Sequence, residues 1–215
     1  MSTKEVYKIL LNHFGGQNWW PMKHNFRPRE WEICVGAILT QNTSWINVEK
    51  ALNDLSKKTI VTPQSVIEAD IKELEKAVRS SGFYKQKAAR LKTLAEFVLS
   101  FNKFEHFRKS VERIDLLKVN GIGRETADSI LLYACGKPYF VVDAYTKRIF
   151  SRLDVIKNTD YENVREYFEK DLPRDVDLYK EFHALIVELG KNYCRKKPLC
   201  KKCPLTKTCP KIILS

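Results

Sequence analysis

The sequence has no uninterrupted apolar segment of about 18 residues, the length from which a membrane-spanning helix is recognised. Internal repeats of fixed period and low-complexity segments are also missing, so neither a solenoid nor a disordered chain is indicated. The amino-terminal stretch MSTKEVYKILLNHFGG is amphipathic and lacks the apolar core and cleavage site of a signal peptide. We therefore expect a cytoplasmic protein.

Strand-forming segments are nearly absent as well. The one strand-like run, YFVV at residues 139–142, is too short to seed a sheet, whereas helical periodicity recurs along the chain. A first helix is expected after Ser2 or Thr3 and before Gly15, and others from Pro28 and after Asp70. Predicted buried stripes include Ile71, Leu74, Ala77 and Val78, then Leu91, Leu94, Ala95 and Val98, and finally Phe182, Leu185, Ile186 and Leu189. The fold class is all-α, with roughly nine to eleven helices.

Acidic residues are outnumbered by basic ones. Lys and Arg total 38 and Asp and Glu total 26, which gives a net charge of +12. Such a surplus indicates a polyanionic partner, most commonly nucleic acid, although a basic surface kept for solubility has the same composition.

Cysteine is concentrated at one end of the chain. Cys34 and Cys135 stand alone in apolar helical contexts, as small buried residues do, whereas the other four form a C-x5-C-x2-C-x5-C motif: Cys194, Cys200, Cys203 and Cys209. In a reducing compartment this spacing predicts metal binding rather than disulfides. Structural zinc more often uses two short CxxC pairs, so a [4Fe-4S] cluster is favoured and zinc is the alternative.

Two helices joined by a glycine-rich turn are predicted at SVERIDLLKVNGIGRETADSILLYA. Expected stripes are Val111, Ile114 and Leu117 in the first helix, and Ala127, Ile130, Leu131 and Ala134 in the second. Both turn glycines, Gly121 and Gly123, can adopt positive φ and expose their amides at a helix N-terminus, where an anion is favoured. With Lys118 and Arg124 beside them, they predict a site for DNA phosphates; an ordinary helix connector is the alternative.

These segments resemble the helix-hairpin-helix DNA glycosylases of the endonuclease III superfamily. The likeness includes LKVNGIGRETADSILLYACGKPYFVVDAYTKRI, GAILTQNT at 36–43, SGFYKQKAARL at 81–91 and the cysteine motif. It implies two helical lobes with a DNA cleft between them. One is a six-helix barrel at residues 21–137, with the hairpin at about 109–135. The other combines residues 1–20 and 138–215 and carries the cluster loop at 194–209.

The resemblance also implies site residues. Asp143 occupies the family's catalytic aspartate position, and its ordinary role as a helix N-cap is compatible with that function. Bifunctional members of the superfamily carry a Schiff-base lysine at the position that Glu125 occupies in this chain. Because a glutamate cannot form an imine, strand cleavage is expected to be weak or absent. Gln41 matches the glutamine that fills the gap left by an extruded base; a polar helix end is the alternative.

Tryptophans near these motifs point to one branch of the superfamily. The segment WWP contains Trp19 and Trp20, and Trp45 follows GAILTQNT. This arrangement resembles the 3-methyladenine glycosylases. The resemblance implies that these aromatic residues line a base pocket rather than merely pack in the core. An N-alkylated purine is cationic and gains attraction from stacked indoles. One departure is Leu185, where some members of this branch carry a lysine.

We therefore expect a monomeric base-excision-repair glycosylase that acts on damaged double-stranded DNA, associated with the nucleoid in a prokaryote. The expected reaction is hydrolysis of N-alkylated purines without strand cleavage. A glycosylase for oxidised pyrimidines or mismatched bases, with or without lyase activity, is the first alternative. A non-catalytic lesion-binding module is the second.

Overall fold

A computed structural model describes residues 2–211. In that range the chain forms helices and no β-strand, as the all-α prediction requires. There are twelve α-helices rather than nine to eleven, because several, such as α4, α7 and α8, have only five to seven residues and hardly reveal a 3.6-residue period. The helices are α1 Thr3–Phe14, α2 Trp31–Leu39, α3 Trp45–Lys57, α4 Pro63–Glu68, α5 Ile71–Ala77, α6 Tyr84–Leu99, α7 Phe104–Ser110, α8 Arg113–Leu117, α9 Arg124–Ser129, α10 Ala144–Arg152, α11 Tyr161–Asp171 and α12 Val176–Asn192. A π-helical turn, Ile130–Ala134, extends α9.

The chain divides into two compact units. Residues Trp20–Lys137 form what we call the central unit, and Met1–Trp19 with Pro138–Ser215 form the split unit. The central unit contains α2 to α9 and the π-helical turn, and the split unit contains α1, α10 to α12 and the cysteine motif.

The core of the central unit is built around α2, all nine residues of which are buried. Its one charged residue, Glu32, accepts hydrogen bonds from the backbone amides of Lys23 and His24 and contacts the His24 ring at 2.7 Å. Since a buried carboxylate is stable only when its oxygens are paired, these contacts fix the segment that follows Trp20.

The split unit is centred on α12, against which an aromatic cluster packs. Phe140 stacks on Phe168 with ring centroids 4.2 Å apart, and Phe182 of α12 meets both of these rings edge-on. Further along α12, Gly190 allows α10 to come close, since a Cβ there would overlap the Tyr145 ring. This packing sets the position of α10, the helix that begins after Asp143.

Several predicted helix boundaries are confirmed. Ser2 caps α1 in a reciprocal capping box with Glu5, Gly15 ends it at φ 70°, and Asp70 caps α5. The expected start at Pro28 is wrong, because α2 begins at Trp31.

The stripe predicted for the first hairpin helix is partly wrong. Ile114 is 59% exposed, and Val111 lies at the end of α7. Leu116 is buried instead. Ile71 of α5 is also exposed, by 36%.

From residue 2 to residue 211, no helix is long and apolar enough to cross a bilayer.

Candidate active site

Asp143 is placed by the segment before it and the helix after it. Residues 140–142 are buried and belong to no helix. The Phe140 amide donates to Glu169, and the Val142 amide lies 3.5 Å from the Tyr161 hydroxyl. Asp143 then caps α10 by accepting bonds at Oδ1 from the Thr146 amide (2.7 Å) and hydroxyl (2.9 Å). The predicted N-cap role is therefore confirmed.

The second carboxylate oxygen of Asp143 faces a histidine. His183 Nε2 of α12 lies 3.7 Å from Oδ2, and the two side chains are only 9% and 14% exposed. Burial, the largest single influence, raises the pKa of Asp143, but His183 and the Thr146 hydrogen bonds together outweigh it and hold the pKa below its usual value. The carboxyl group is therefore ionised at neutral pH. From the sequence, His183 is interpreted as a core histidine without a proton-transfer role, and nothing in its local motif shows that α12 meets Asp143.

Two of the three predicted pocket tryptophans come together in the central unit. The Trp20 ring meets Trp45 edge-on at 5.3 Å and Tyr133 edge-on at 5.4 Å. Gly36 of α2 makes room for the indole, since a Cβ at that position would lie 2.9 Å from Trp20 Cζ2. Tyr133, which the sequence analysis missed, is presented by the π-helical turn, a feature frequently found at functional sites.

Trp19 belongs to the split unit, where Lys191 Nζ lies 5.4 Å from its ring centroid. This distance is within the range of a cation–π interaction. The structure therefore groups Trp20 and Trp45 with Tyr133, and Trp19 with Lys191.

The predicted hairpin is present, with α8, a tight turn and α9. Gly121 has φ 86°, as expected, but Gly123 does not have positive φ; its backbone is extended, with φ −88°, and it is the N-cap of α9. Gly123 has no side chain with which to cap the helix. Lys118, Arg124 and Glu125 are exposed around this turn.

A buried ion pair supports the hairpin. Arg113 of α8 donates from Nε and NH2 to Asp128 of α9, at 2.6 and 3.2 Å, and the Asp128 side chain is fully buried. A two-pronged pair of this kind fixes the angle between the two helices as well as their distance.

Gln41 lies at the hairpin rather than apart from it. Its Nε2 donates to the carbonyl of Gly121 (3.1 Å) and to the hydroxyl of Thr126 (3.0 Å), and its Oε1 accepts from Arg90 NH1. The side chain predicted to enter DNA is therefore held by three hydrogen bonds within the central unit.

The four motif cysteines line one pocket in the split unit, which has an empty volume of about 480 Å³ that includes open solvent. Arg152 NH1 donates to Cys194 Sγ at 3.3 Å, and the Lys211 amide donates to Cys209 Sγ at 3.3 Å. Burial raises the pKa of the Cys203 thiol, and the neighbouring thiols Cys194, Cys209 and Cys200 raise it further. Burial and the neighbouring thiols Cys194 and Cys200 raise the pKa of the Cys209 thiol as well.

Within residues 2–211, no three His, Cys, Asp or Glu side chains form a group that could hold a metal ion. The four motif thiols nevertheless share one pocket, and N–H groups donate to two of the sulfurs, Cys194 and Cys209. Arg152 also binds the carbonyls of Arg195 and Lys196. The cysteine loop is thus anchored to α10.

A fixed carboxylate, an aromatic group and a glycine-rich hairpin on helices are features of a DNA glycosylase. Residues 35–174 match the HhH-GPD superfamily of base excision DNA repair proteins, and the chain belongs to that family. It is a DNA glycosylase of base excision repair, and DNA is its substrate.

Individual relatives give a finer comparison. The chain is 48% identical to a candidate DNA repair glycosylase of Methanocaldococcus jannaschii, over 91% of this chain and 90% of that one. It is 32% identical to an endonuclease III of Thermotoga maritima, over 76% and 74%. Among solved structures, it superposes on an H. pylori 3-methyladenine DNA glycosylase bound to 1,N6-ethenoadenine with a TM-score of 0.79 and 33% identity, covering 89% of this chain and 98% of that one.

Proposed function

We propose that this protein is a monofunctional, monomeric glycosylase that removes N-alkylated purines of the 3-methyladenine type from duplex DNA. The observation that carries the lesion class is the aromatic group of Trp20, Trp45 and Tyr133. Trp45 and Trp20 are partly exposed, so a flipped base can reach indole surface, and a cationic base gains about 0.5–2 kcal/mol from such contact. Trp19 would contribute a further aromatic surface. Similarity to the H. pylori enzyme supports the same assignment.

Asp143 is the proposed catalytic residue. As the N-glycosidic bond breaks, its electron pair leaves with the base and positive charge develops on the sugar. The ionised carboxylate stabilises that charge and orients a water molecule, whose oxygen bonds to the sugar carbon while its proton is released. A cationic alkylpurine departs as a neutral base, so no strong general acid is needed. The pKa of Asp143, held low by its contacts, keeps the carboxylate ready for this role.

DNA backbone binding is assigned to the hairpin, through Lys118, Gly121, Gly123 and Arg124. The backbone amides of the turn and the two exposed cations can bind phosphate without reading sequence. Gln41 is the proposed residue that fills the gap in the duplex.

We assign a [4Fe-4S] cluster to Cys194, Cys200, Cys203 and Cys209, with zinc as the alternative. The cluster would order the surrounding basic loop, and Arg152 would hold that loop to α10 through its bonds to Cys194 and the adjacent carbonyls. Absorption near 400 nm and iron analysis of purified protein, expected at about four irons per chain, test the assignment. Zinc in the same amount contradicts it.

A lesion panel tests the substrate class. Purified protein is incubated with matched duplexes that contain 1,N6-ethenoadenine, a stable 3-methyladenine analogue, thymine glycol or a G·T mismatch. Release of the alkylated purines alone supports the proposal, and release only from thymine glycol or the mismatch overturns it.

The second candidate is an endonuclease III-like glycosylase for oxidised pyrimidines or mismatches. The 32% identity to the T. maritima endonuclease III favours it. Borohydride trapping identifies the lyase-active form of this candidate, and the lesion panel identifies the form without lyase activity, because a covalent adduct requires an amine nucleophile and Glu125 supplies none. We expect no trapped species with the wild type; Glu125→Lys is the matched variant that restores an amine at that position.

A further inference from the structure

The contacts of Gln41 raise a question about how it reaches DNA. An amide side chain has two N–H donors and an oxygen that accepts up to two bonds. Both donor bonds go to the hairpin, at Gly121 and Thr126, and the oxygen accepts from Arg90. A side chain this well satisfied must exchange these contacts before it can enter a duplex.

Arg90 of α6 is the charged member of this network. Its stem passes directly beside the hairpin turn, since a Cβ on Gly121 would lie 2.5 Å from Arg90 Cγ and 2.6 Å from Cδ. Its guanidinium then reaches Gln41 Oε1. Arg90 is half-buried, so its position is set by packing as well as by hydrogen bonding. The glycine at position 121 thus has a second use besides its positive φ, because it leaves room for Arg90.

Both anchors of Arg90 lie within the proposed DNA-contacting surface. Gln41 is assigned to the gap in the duplex, and the turn at Gly121 is assigned to the phosphates. A residue that touches both can affect how one responds to the other, without itself touching the reacting atoms.

We propose that Arg90 is a positioning residue that holds Gln41 on the hairpin in the free protein and so opposes its entry into DNA. The inference rests on the proposed role of Gln41. The hairpin-bound state competes with the DNA-inserted state, and the bond from the charged guanidinium is the strongest single contact on the bound side. Removing Arg90 shifts the balance toward insertion, because a ligand or variant moves a two-state equilibrium by its differential interaction with the two states.

The experiment compares binding of each variant to two duplexes of identical length. One is intact, and the other contains a tetrahydrofuran abasic analogue, which offers a gap for Gln41 without any chemistry. The measured quantity is the ratio of the two dissociation constants, so a general loss of phosphate binding cancels. Arg90→Ala is expected to raise the preference for the abasic duplex by about tenfold, the effect of one charge-assisted hydrogen bond on an equilibrium.

Gln41 itself provides the decisive control. Gln41→Ala should lose the preference for the abasic duplex, and adding Arg90→Ala in that background should change nothing further. This non-additivity is expected only if Arg90 acts through Gln41. Arg90→Lys should fall between wild type and Arg90→Ala, since lysine keeps a donor but lacks the planar fork. Lys85→Ala, which removes an exposed charge from the same helix, should leave the ratio at the wild-type value.

An unchanged or reduced ratio in Arg90→Ala overturns the proposal, as does an effect of equal size in the Gln41→Ala background. A wild type without preference for the abasic duplex overturns it too, because Gln41 would then have no gap to enter. If Arg90→Ala does not fold, Arg90→Lys is judged by the same criteria. None of these measurements requires base removal, so failure of the lesion assignment is recognised separately by the lesion panel.

Discussion

Asp143 in the split unit and Lys87 in the central unit are both shielded from solvent at a helix end, and their charges behave differently. In the split unit, Asp143 at the start of α10 is 14% exposed and has a lowered pKa, which favours its charged form. In the central unit, Lys87 is fully buried, and its Nζ donates to Leu39, the last residue of α2, and to Ser81, at 2.8 and 2.6 Å. Its pKa is also lowered, to about 8, which disfavours its charged form.

The charges of Asp143 and Lys87 behave differently because the two side chains have different hydrogen-bond partners. Asp143 is surrounded by donors, the Thr146 amide and hydroxyl and the ring of His183, whose combined effect exceeds the effect of burial. Lys87 has only neutral carbonyl partners, so burial dominates, and the positive charge of Arg90 lowers the pKa further. A neutral amine still donates two hydrogen bonds. Lys87 therefore makes its structural hydrogen bonds in either protonation state, whereas Asp143 is kept in the charged state that the proposed chemistry requires.

The largest expected effect in this comparison is that of Asp143→Asn. Asparagine can still cap α10, but it has no charge to place against the sugar. Turnover should fall by about 10²–10³-fold, the range seen when one electrostatic stabiliser is removed, while duplex affinity and the melting temperature stay near wild type. Single-turnover rates and DNA binding measure the two quantities. A variant that retains full turnover contradicts the role of Asp143.

Lys87→Met should affect stability rather than chemistry. The substitution keeps the apolar stem and leaves the carbonyls of Leu39 and Ser81 without their donor, at a cost of about 1–3 kcal/mol for each unsatisfied group. Urea unfolding should show a loss of at least about 2 kcal/mol. Lys85→Met, at an exposed site on the same helix, should stay within about 0.5 kcal/mol of wild type. If Lys87→Met and Lys85→Met lost equal amounts of unfolding free energy, the buried contacts of Lys87 would not contribute to stability.

The pH dependence of stability should have the same sign at the two sites but act in different pH ranges, because folding lowers both pKa values and the unfolded chain therefore binds more protons. Between about pH 8 and the ordinary lysine value of 10.5, unfolded Lys87 holds a proton that the folded protein releases, so wild type should gain stability over Lys87→Met as pH rises. For Asp143 the stabilisation is present above its ordinary value of 3.8 and is lost as pH falls through its lower folded value. Denaturant unfolding of wild type and both variants across pH measures these differences, and parallel curves would contradict them.

The smallest effect is expected for Thr146→Val, which removes one hydroxyl bond to Asp143 in a nearly isosteric way. The pKa of Asp143 should rise, so the acid limb of the pH–rate profile should move to higher pH. Near neutral pH the rate should hardly change, because the carboxylate remains ionised through its other contacts. An unshifted acid limb would mean that the hydroxyl does not contribute to the low pKa.

Local structural features at the site could be predicted from the sequence. The cap at Asp143, the end of α1 at Gly15 and the positive φ of Gly121 follow from residue type and neighbours within one turn. The stripe of α9 and the π-helical turn was also predicted correctly, since Ala127, Ile130, Leu131 and Ala134 are all buried.

Contacts between distant segments could not be predicted in this way. The pairing of His183 with Asp143, and of Gln41 with Arg90, joins residues 40 or more positions apart. Ile114 misled the stripe prediction because α8 has only five residues and buries Leu116 instead. The pocket prediction treated Trp19 and Trp20 as one group, although the chain passes from one unit to the other between them.

The π-helical turn from Ile130 to Ala134 has a consequence for how this chain tolerates insertions and deletions. A π turn closes its hydrogen bond one residue later than an α turn, so it accommodates an extra residue, and each residue advances an α-helix by about 100°. Deleting one residue there would restore a regular helix but rotate everything before or after it by that angle, so that Tyr133 no longer pointed at Trp20. The number of residues between the glycine turn and Tyr133 is therefore expected to be fixed.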